Sequence, residues 1–221
     1  MNISAIVSAY YAGRFIKKRL DNLMYQDPRP EIIVVCQKGS IEEAIAKIYD
    51  VMLILTKDIP TIYAAWNMAI KASNCEFITN ANCDDYIYSG SYAEMAKILT
   101  DNQDIALVYG DNNISDGIHN KYHSRKEGNY EFLKTCCFVG PMPMWRKSLH
   151  DQYGYFNEEL HVCGDYEFWL RIASRGEKFH HLHKSVGMYL KHLESAEHRD
   201  PLKTRAEDEY VKKMYRGIAL T

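Results

Sequence analysis

Short apolar segments alternate with amphipathic ones over the first half of this 221-residue chain. This alternation limits the possible folds more than any other feature. Five segments have the character of strands because they are short, apolar and rich in Ile, Leu and Val, and they begin near residues 3, 31, 51, 76 and 105. The segments between them keep the spacing of helices, in which apolar residues recur every three or four positions. This order predicts an α/β protein with a mostly parallel, Rossmann-like sheet flanked by helices.

Local signals support several of the helices. Ser40 and Glu43 have the spacing of a capping box, in which both side chains satisfy free backbone N–H groups at the start of a helix. Asp200 and Pro201 predict the start of a C-terminal helix, because Asp is a good N-cap and Pro is tolerated in the first turn. This helix has mixed charge, and we expect it on the outside of the protein.

The second half of the chain is less regular. Residues 110–128 are polar and rich in turn formers, which predicts a loop or an irregular hairpin. Shorter helices are predicted over about 130–135 and 165–174, with an apolar, proline-containing stretch at 138–145 between them. The chain contains no internal repeat and no low-complexity segment.

The composition argues against several classes of protein. Twenty-seven Lys and Arg against 29 Asp and Glu give a net charge of -2, so no overall field attracts nucleic acid. The basic cluster Lys17-Lys18-Arg19 is interpreted as a solvated helix face. No apolar run approaches the roughly 18 residues of a transmembrane segment, and the first residues lack a secretory-signal pattern. None of the six cysteines has metal-site spacing, and Cys36 and Cys75 are predicted to be reduced and buried. We therefore expect a cytoplasmic protein.

Carboxylates stand at two positions where such a fold can perform chemistry. Asp84 and Asp85 follow the fourth predicted strand, and parallel sheets bind ligands at the carboxyl ends of their strands. Asp165 begins an amphipathic helix. Such carboxylates can hold a divalent cation or accept a proton. The plainer alternatives are a turn for Asp84 and Asp85 and a helix N-cap for Asp165.

Five segments in this order resemble the family 2 glycosyltransferases of the GT-A fold, which transfer sugar from a nucleotide-diphosphate sugar to an acceptor. The resemblance covers about residues 2–195. Its segments are residues 6–11 (IVSAYY), 65–70 (AWNMAI), 82–85 (NCDD), 108–111 (VYGD) and 164–171 (GDYEFWLR).

The resemblance implies distinct roles for the carboxylates. Asp84 is assigned to a Mn²⁺ or Mg²⁺ ion that bridges the donor phosphates, with His192 as a second ligand. Asp165 is assigned as the general base that takes the proton of the acceptor hydroxyl, with inversion at the anomeric carbon. Lys191 is assigned to the departing diphosphate. The full set of implied donor-binding residues is Ser8, Ala9, Tyr10, Cys36, Gln37, Asn67, Asn82, Asp85 and Lys191.

Three positions depart from the family pattern. Asn82 stands where the first Asp of the metal motif is usual. Cys36 and Gln37 stand where relatives often carry an Asp that reads uracil, and Trp66 stands where an Arg is common. The sugar, the nucleotide base and the acceptor are therefore left open.

The resemblance implies a single GT-A domain over residues 1–199, with a nucleotide-binding half to about 110 and an acceptor half from about 111. Residues 200–221 are expected to be a helical extension. The implied partners are a nucleotide-sugar donor and a carbohydrate or other hydroxyl acceptor, and a homodimer is left open. Two alternatives remain. A sugar-phosphate nucleotidyltransferase is disfavoured by the single Gly within residues 8–14, and a non-catalytic nucleotide-sugar-binding or scaffold protein would fit the missing acid at Asn82.

Overall fold

The structure of the protein is a computed structural model that describes residues 2–220, except for the side chains of residues 196 and 197. Nine strands of the described chain belong to one sheet. The strands are β1 (Ile3–Ala9), β2 (Glu31–Gln37), β3 (Met52–Thr56), β4 (Phe77–Asn80), β5 (Tyr86–Ile87), β6 (Ile105–Ser115), β7 (Asn120–His123), β8 (Met144–Arg146) and β9 (Lys178–Leu190). The helices of the same residues are α1 (Ile16–Met24), α2 (Ile41–Ala46), α3 (Ile62–Ala72), α4 (Ser91–Asp101), α5 (Tyr130–Leu133), α6 (Ser148–Tyr153), α7 (Gly164–Ala173), α8 (Ala196–Arg199) and α9 (Pro201–Tyr215).

The sheet is mixed and mostly parallel. Its strand order is β3-β2-β1-β4-β8-β6-β9-β5, and β7 pairs with β6 outside this order. The neighbours of β1 and β2 are parallel to them, and β6 is parallel to β9. Because β8 is antiparallel to both β4 and β6, these two strands are parallel to each other. The six strands that share this direction are β1, β2, β3, β4, β6 and β9. Their carboxyl ends therefore lie at one edge of the sheet, and the predicted α/β fold is confirmed.

The apolar strands are explained by burial on both faces of the sheet. Successive residues of β1 and β2 enter two different hydrophobic clusters: Ile6 and Ile33 belong to one, and Val7 and Val34 to the other. The first cluster is covered by α3, α7 and α9, and the second by α1 and α4. A strand covered on both faces has no side that needs polar residues, so its sequence becomes continuously apolar.

The structure extends the sheet beyond the predicted strands. β6 continues past residue 109 to Ser115 and forms a hairpin with β7, within the segment predicted as a loop or irregular hairpin. The sequence pattern indicates no strand over residues 178–190, yet β9 forms there with 13 residues. Its lysines and histidines interrupt the apolar pattern because several of its side chains are exposed.

The C-terminal helix α9 packs against the main core. Val211 is fully buried and Tyr215 is 6% exposed, within the cluster that also contains the α7 side chains. The Tyr215 hydroxyl donates to Glu167 Oε1 at 2.6 Å. Although most of α9 is exposed, it is bound to the domain by these contacts. Across residues 2–220, none of the helices combines the length and the apolar character needed to cross a bilayer.

Candidate active site

The residues predicted at the ends of β1 and β2 lie side by side. These strands are parallel and in register, with Ala9 opposite Cys36. Tyr10 follows, and its hydroxyl lies 2.9 Å from Thr56 Oγ1 at the end of β3. The Gln37 side chain donates to the Lys57 carbonyl at 3.2 Å. Ser8, Ala9, Tyr10, Cys36 and Gln37 therefore border the same end of the sheet. Cys36 is fully buried, as predicted, whereas the prediction of burial is wrong for Cys75, which is partly exposed beside the Glu31 carboxylate.

Asp84 and His192 are in direct contact although 108 residues separate them in the sequence. The contact follows from the pairing of β5 with β9, which brings the turn after β4 against the segment after β9. Asp84 Oδ2 lies 2.8 Å from His192 Nε2, and the side chains are 21% and 17% exposed. The His192 ring also packs against Phe15, with ring centroids 5.2 Å apart. The structure thus brings together the two residues assigned to a metal ion.

The geometry of this pair fits a divalent cation. Two ligands at right angles around an ion, each about 2.1 Å from it, lie about 3 Å apart, which is close to the observed 2.8 Å. His192 Nδ1 and Asn82 Oδ1 are buried and have no hydrogen-bond partner among the described residues, so the site has polar capacity that the chain does not use. The Asp84 carboxylate is the type of ligand that Mn²⁺ and Mg²⁺ prefer, and His192 adds an imidazole, the side chain that most often binds metal ions in proteins.

Asp85 lies behind this turn. It is 5% exposed, and its two carboxylate oxygens accept from the Asn82 side chain at 3.1 Å and from the Leu190 N–H at 3.2 Å. Burial, followed by the neighbouring Asp84 carboxylate, raises the pKa of Asp85 to about 7, whereas Arg19 acts in the opposite direction. Asp85 therefore connects the turn to the end of β9 through these hydrogen bonds. Its contact with the nucleotide-sugar donor stays a prediction.

Two residues of α1 support the turn from inside, and the sequence interpretation missed both. Arg19 is 1% exposed, and its Nη1 donates to Asn22 Oδ1 at 2.9 Å and to the Asp85 carbonyl at 3.4 Å. Asn22 donates to the Ile87 carbonyl at 2.9 Å and accepts from the Ile87 N–H at 3.0 Å. The prediction of a solvated basic face is therefore wrong for Arg19. Helical spacing could have revealed this, since Arg19 shares a face with buried Ile16 and Leu23.

Asp165 is the second residue of α7 and is oriented by α3. Its Oδ1 accepts from the Tyr166 N–H at 2.8 Å and lies 3.1 Å from the Tyr63 hydroxyl, which is also 2.6 Å from the Val162 carbonyl. Burial, and then the Asp165 carboxylate, raise the pKa of Tyr63, so its hydroxyl stays protonated. The approach of α3 requires Gly164, because a Cβ there would lie 2.6 Å from the Tyr63 ring.

The start of α7 is also held by the C-terminal helix. The Glu207 carboxylate accepts from three consecutive backbone N–H groups, those of His161 at 2.8 Å, Val162 at 2.6 Å and Cys163 at 2.8 Å. These groups immediately precede α7, and the carboxylate stands close to the positive end of the helix dipole. α9 therefore helps to fix the loop that leads into α7, just before Asp165, and no local sequence pattern indicates this contribution.

Asn67 and Lys191 lie in contrasting settings. Asn67 is 1% exposed and donates to the Phe156 carbonyl and Glu158 Oε1, both at 2.9 Å, while its oxygen accepts from the Phe156 N–H at 3.1 Å. Because both ends of the amide are used inside the protein, this geometry does not favour its predicted donor contact. Lys191 is exposed and directly precedes His192, with its backbone N–H donating to the Ser115 carbonyl at 2.7 Å.

Solved structures with the same architecture are glycosyltransferases of the GT-A fold. The structure of Staphylococcus aureus TarS 1–349 in complex with UDP-GlcNAc superposes with a TM-score of 0.80 at 18% identity, covering all of this chain and 68% of that one. The mannosyltransferase PcManGT from Pyrobaculum calidifontis, in complex with GDP-Man and Mn²⁺, gives 0.75 at 17% identity, covering all of this chain and 66% of that one. In another TarS 1–349 structure the match spans 60% of that chain. At these identities the likeness establishes the fold, and the predicted GT-A fold is confirmed.

The sequence comparisons establish the family. The family model described as glycosyl transferase family 2 matches residues 4–158. An uncharacterized glycosyltransferase of Bacillus subtilis (strain 168), YwdF, is 27% identical over 187 residues, which cover 78% of this chain and 68% of that protein. The chain belongs to glycosyl transferase family 2, and the resemblance inferred from its motifs is confirmed.

Proposed function

We propose that this protein transfers a sugar from a nucleotide-diphosphate sugar to an acceptor hydroxyl, with inversion at the anomeric carbon and with a bound Mn²⁺ or Mg²⁺. The observation that carries the proposal is the 2.8 Å contact of His192 Nε2 with Oδ2 of Asp84, which lies in the turn that follows the carboxyl end of β4. Two proteins of the same fold support it, since the TarS structure contains UDP-GlcNAc and the PcManGT structure contains GDP-Man and Mn²⁺.

The donor side of the site has to stabilise a departing nucleoside diphosphate. Asp84 and His192 would hold the cation, which when bound supplies Lewis-acid stabilisation of the phosphate charge. Lys191 is exposed beside His192 and offers a further positive charge to the same phosphates. Tyr10 and Gln37, at the ends of β1 and β2, are proposed to contact the nucleoside.

The acceptor side has to remove one proton. In the proposed reaction the acceptor oxygen attacks the anomeric carbon, the bond from that carbon to the diphosphate breaks, and the electron pair leaves with the diphosphate. The proton of the acceptor hydroxyl passes to the Asp165 carboxylate. Contacts of Asp165 Oδ1 with Tyr63 and with the Tyr166 N–H restrict the orientation of this carboxylate. A single displacement of this kind inverts the anomeric carbon.

Donor binding and turnover can be tested separately. Nucleoside diphosphates are added to the protein with and without Mn²⁺, and the thermal shift identifies the base that binds. The sugar nucleotides of that base are then assayed for hydrolysis or for transfer to added acceptors. Asp84→Ala should weaken the Mn²⁺-dependent binding. Asp165→Asn should preserve binding and lower turnover by about 10² to 10⁴-fold, the usual contribution of a general base.

Asp101→Asn is the matched control, because Asp101 is an exposed carboxylate that pairs with Lys97 on α4. This variant should behave like the unaltered protein in both assays. Unchanged turnover in Asp165→Asn would show that the base assignment is wrong. If no nucleoside diphosphate bound with or without Mn²⁺, the non-catalytic alternative would replace the proposed function.

A further inference from the structure

A second group of side chains that could hold a metal ion includes two residues of β9. It consists of Glu127, His181 and His183. None of these three side chains is among the residues that the proposed reaction requires.

The three side chains are close enough to share one ion. Each offers one ligand atom, and the three atoms lie within 4.8 Å of one another. The rings of His181 and His183 have centroids 4.2 Å apart, and His183 Nε2 lies 3.8 Å from Glu127 Oε2. Ligands about 2.1 Å from a tetrahedral zinc ion are about 3.4 Å apart. Because the side chains of His183 and Glu127 are 68% and 73% exposed, small rotations can close the remaining gap.

His181 has the environment of a histidine prepared to bind a metal. It is 4% exposed, its Nε2 lies 2.8 Å from Asp111 Oδ1, and its Nδ1 is buried without a hydrogen-bond partner in the described chain. Asp111 also accepts from the Arg125 N–H at 2.7 Å and from the Tyr122 hydroxyl. With a proton on Nε2, His181 would donate a further hydrogen bond to the same carboxylate. Metal-binding histidines commonly donate one ring N–H to a carboxylate in this way, which leaves the other nitrogen for the ion.

The backbone contributes a second, independent feature. The register of β6 with β9 shifts at this point, because Gly110 pairs with Leu182 and the next residue, Asp111, pairs with Ser185. His183 and Lys184 therefore form a bulge with no partner opposite them in β6. Bulges of this kind redirect side chains and occur often beside functional sites. Here the bulge contains one of the three candidate ligands.

We propose that Glu127, His181 and His183 form a second cation site that takes a divalent ion of the zinc class. Two imidazole nitrogens and one carboxylate oxygen are a ligand set used for Zn²⁺ with an open fourth position. Mg²⁺ prefers oxygen ligands, so this set discriminates against it. The ion would join β9 to the segment between β7 and α5, where the Lys126 carbonyl already accepts from the Tyr109 hydroxyl at 3.0 Å.

The test measures metal binding directly. Metal-free Asp84→Asn protein, in which the proposed donor site is disabled, is titrated with Zn²⁺ by calorimetry and with Co²⁺ by visible absorption. We expect one bound ion and the absorption bands of low-symmetry Co²⁺. Adding His183→Gln or Glu127→Gln should weaken binding at least tenfold, whereas His180→Gln, which alters an exposed neighbour outside the group, should not.

Both test variants replace exposed side chains, so their folding is not at risk. The proposal is overturned if Asp84→Asn protein binds no Zn²⁺, or if His183→Gln and Glu127→Gln bind it as tightly as the His180→Gln control. Because the readout is binding without donor or acceptor, failure of this proposal leaves the proposed transferase reaction untouched.

Discussion

Protonation of His150 should make the stability of this fold depend strongly on pH. His150 is 2% exposed, and its Nε2 accepts from Trp145 Nε1–H at 2.9 Å. Its ring stacks on Phe168, with centroids 4.6 Å apart. A proton on Nε2 would face the indole N–H, so the folded state requires the neutral ring. Burial lowers the pKa of His150 to about 4, and Arg171 and Lys147 act in the same direction.

The size of the effect follows from the difference between the folded and unfolded pKa values. An unfolded histidine has a pKa of about 6.5, so the shift of roughly 2.5 units corresponds to about 3 kcal/mol at 1.36 kcal/mol per unit. Because the folded pKa is the lower one, the unfolded chain binds more protons between these values. Above about pH 6.5 His150 is neutral in both states and does not lower the free energy of unfolding. As the pH falls from about 6.5 towards about 4, protonation of the unfolded chain lowers that free energy. Between about pH 7.5 and about pH 5 the loss is about 2 kcal/mol.

Urea unfolding at these two pH values measures the loss. His150→Gln keeps an acceptor for the Trp145 indole and carries no titratable group, so its free energy of unfolding should vary with pH by about 2 kcal/mol less than that of the unaltered protein. His180→Gln, at an exposed histidine, should retain the full dependence. The reasoning is refuted if His150→Gln and the unaltered protein lose equal stability between the two pH values.

Two further predictions concern the support of Asp165. Gly164→Ala should destabilise the fold by about 1–3 kcal/mol, because the added Cβ would lie 2.6 Å from the Tyr63 ring, and urea unfolding would contradict this if the midpoint did not move. Glu207→Gln should lower the free energy of unfolding by about 1–3 kcal/mol, since an uncharged amide replaces a carboxylate that accepts from three backbone N–H groups. Glu209→Gln, at an exposed position on the same helix, is its control, and equal unfolding free energies in these two variants would refute the capping role.

The sequence predicts those parts of the fold that depend on local patterns. Continuous apolar segments are typical of doubly covered parallel strands, and the five predicted strands begin within one residue of β1, β2, β3, β4 and β6. The position of Asp84, in the turn after β4, can also be predicted from the order of the strands alone. The contact of Asp84 with His192 depends on the pairing of β5 with β9, and only the resemblance to a family indicated it.

What the sequence does not predict depends on distant parts of the chain. β9 carries charged residues and histidines because several of its side chains are exposed, and these residues interrupt the apolar pattern by which a buried strand is predicted. Arg19 follows two exposed lysines in the sequence, so it resembles a surface residue. Its burial is explained only by its hydrogen bonds to Asn22 and to the Asp85 carbonyl in the folded protein. Glu207 lies 44 residues from Cys163, and no short-range rule connects a residue in the middle of one helix with the start of another.

The hydrogen bonds of Asn22 also affect how the molecule can associate. β5 is the last strand at one end of the sheet, and the N–H of Tyr88, just after it, donates inward to Val186 in β9. The backbone N–H and carbonyl of Ile87 are both taken by the Asn22 side chain. An unpaired edge strand offers such groups to a strand of another chain, which is a route to aggregation. By filling them, one amide from α1 closes the sheet at β5, so that a further strand would have to add at another edge, such as β3 at the opposite end of the strand order or β7 beside β6.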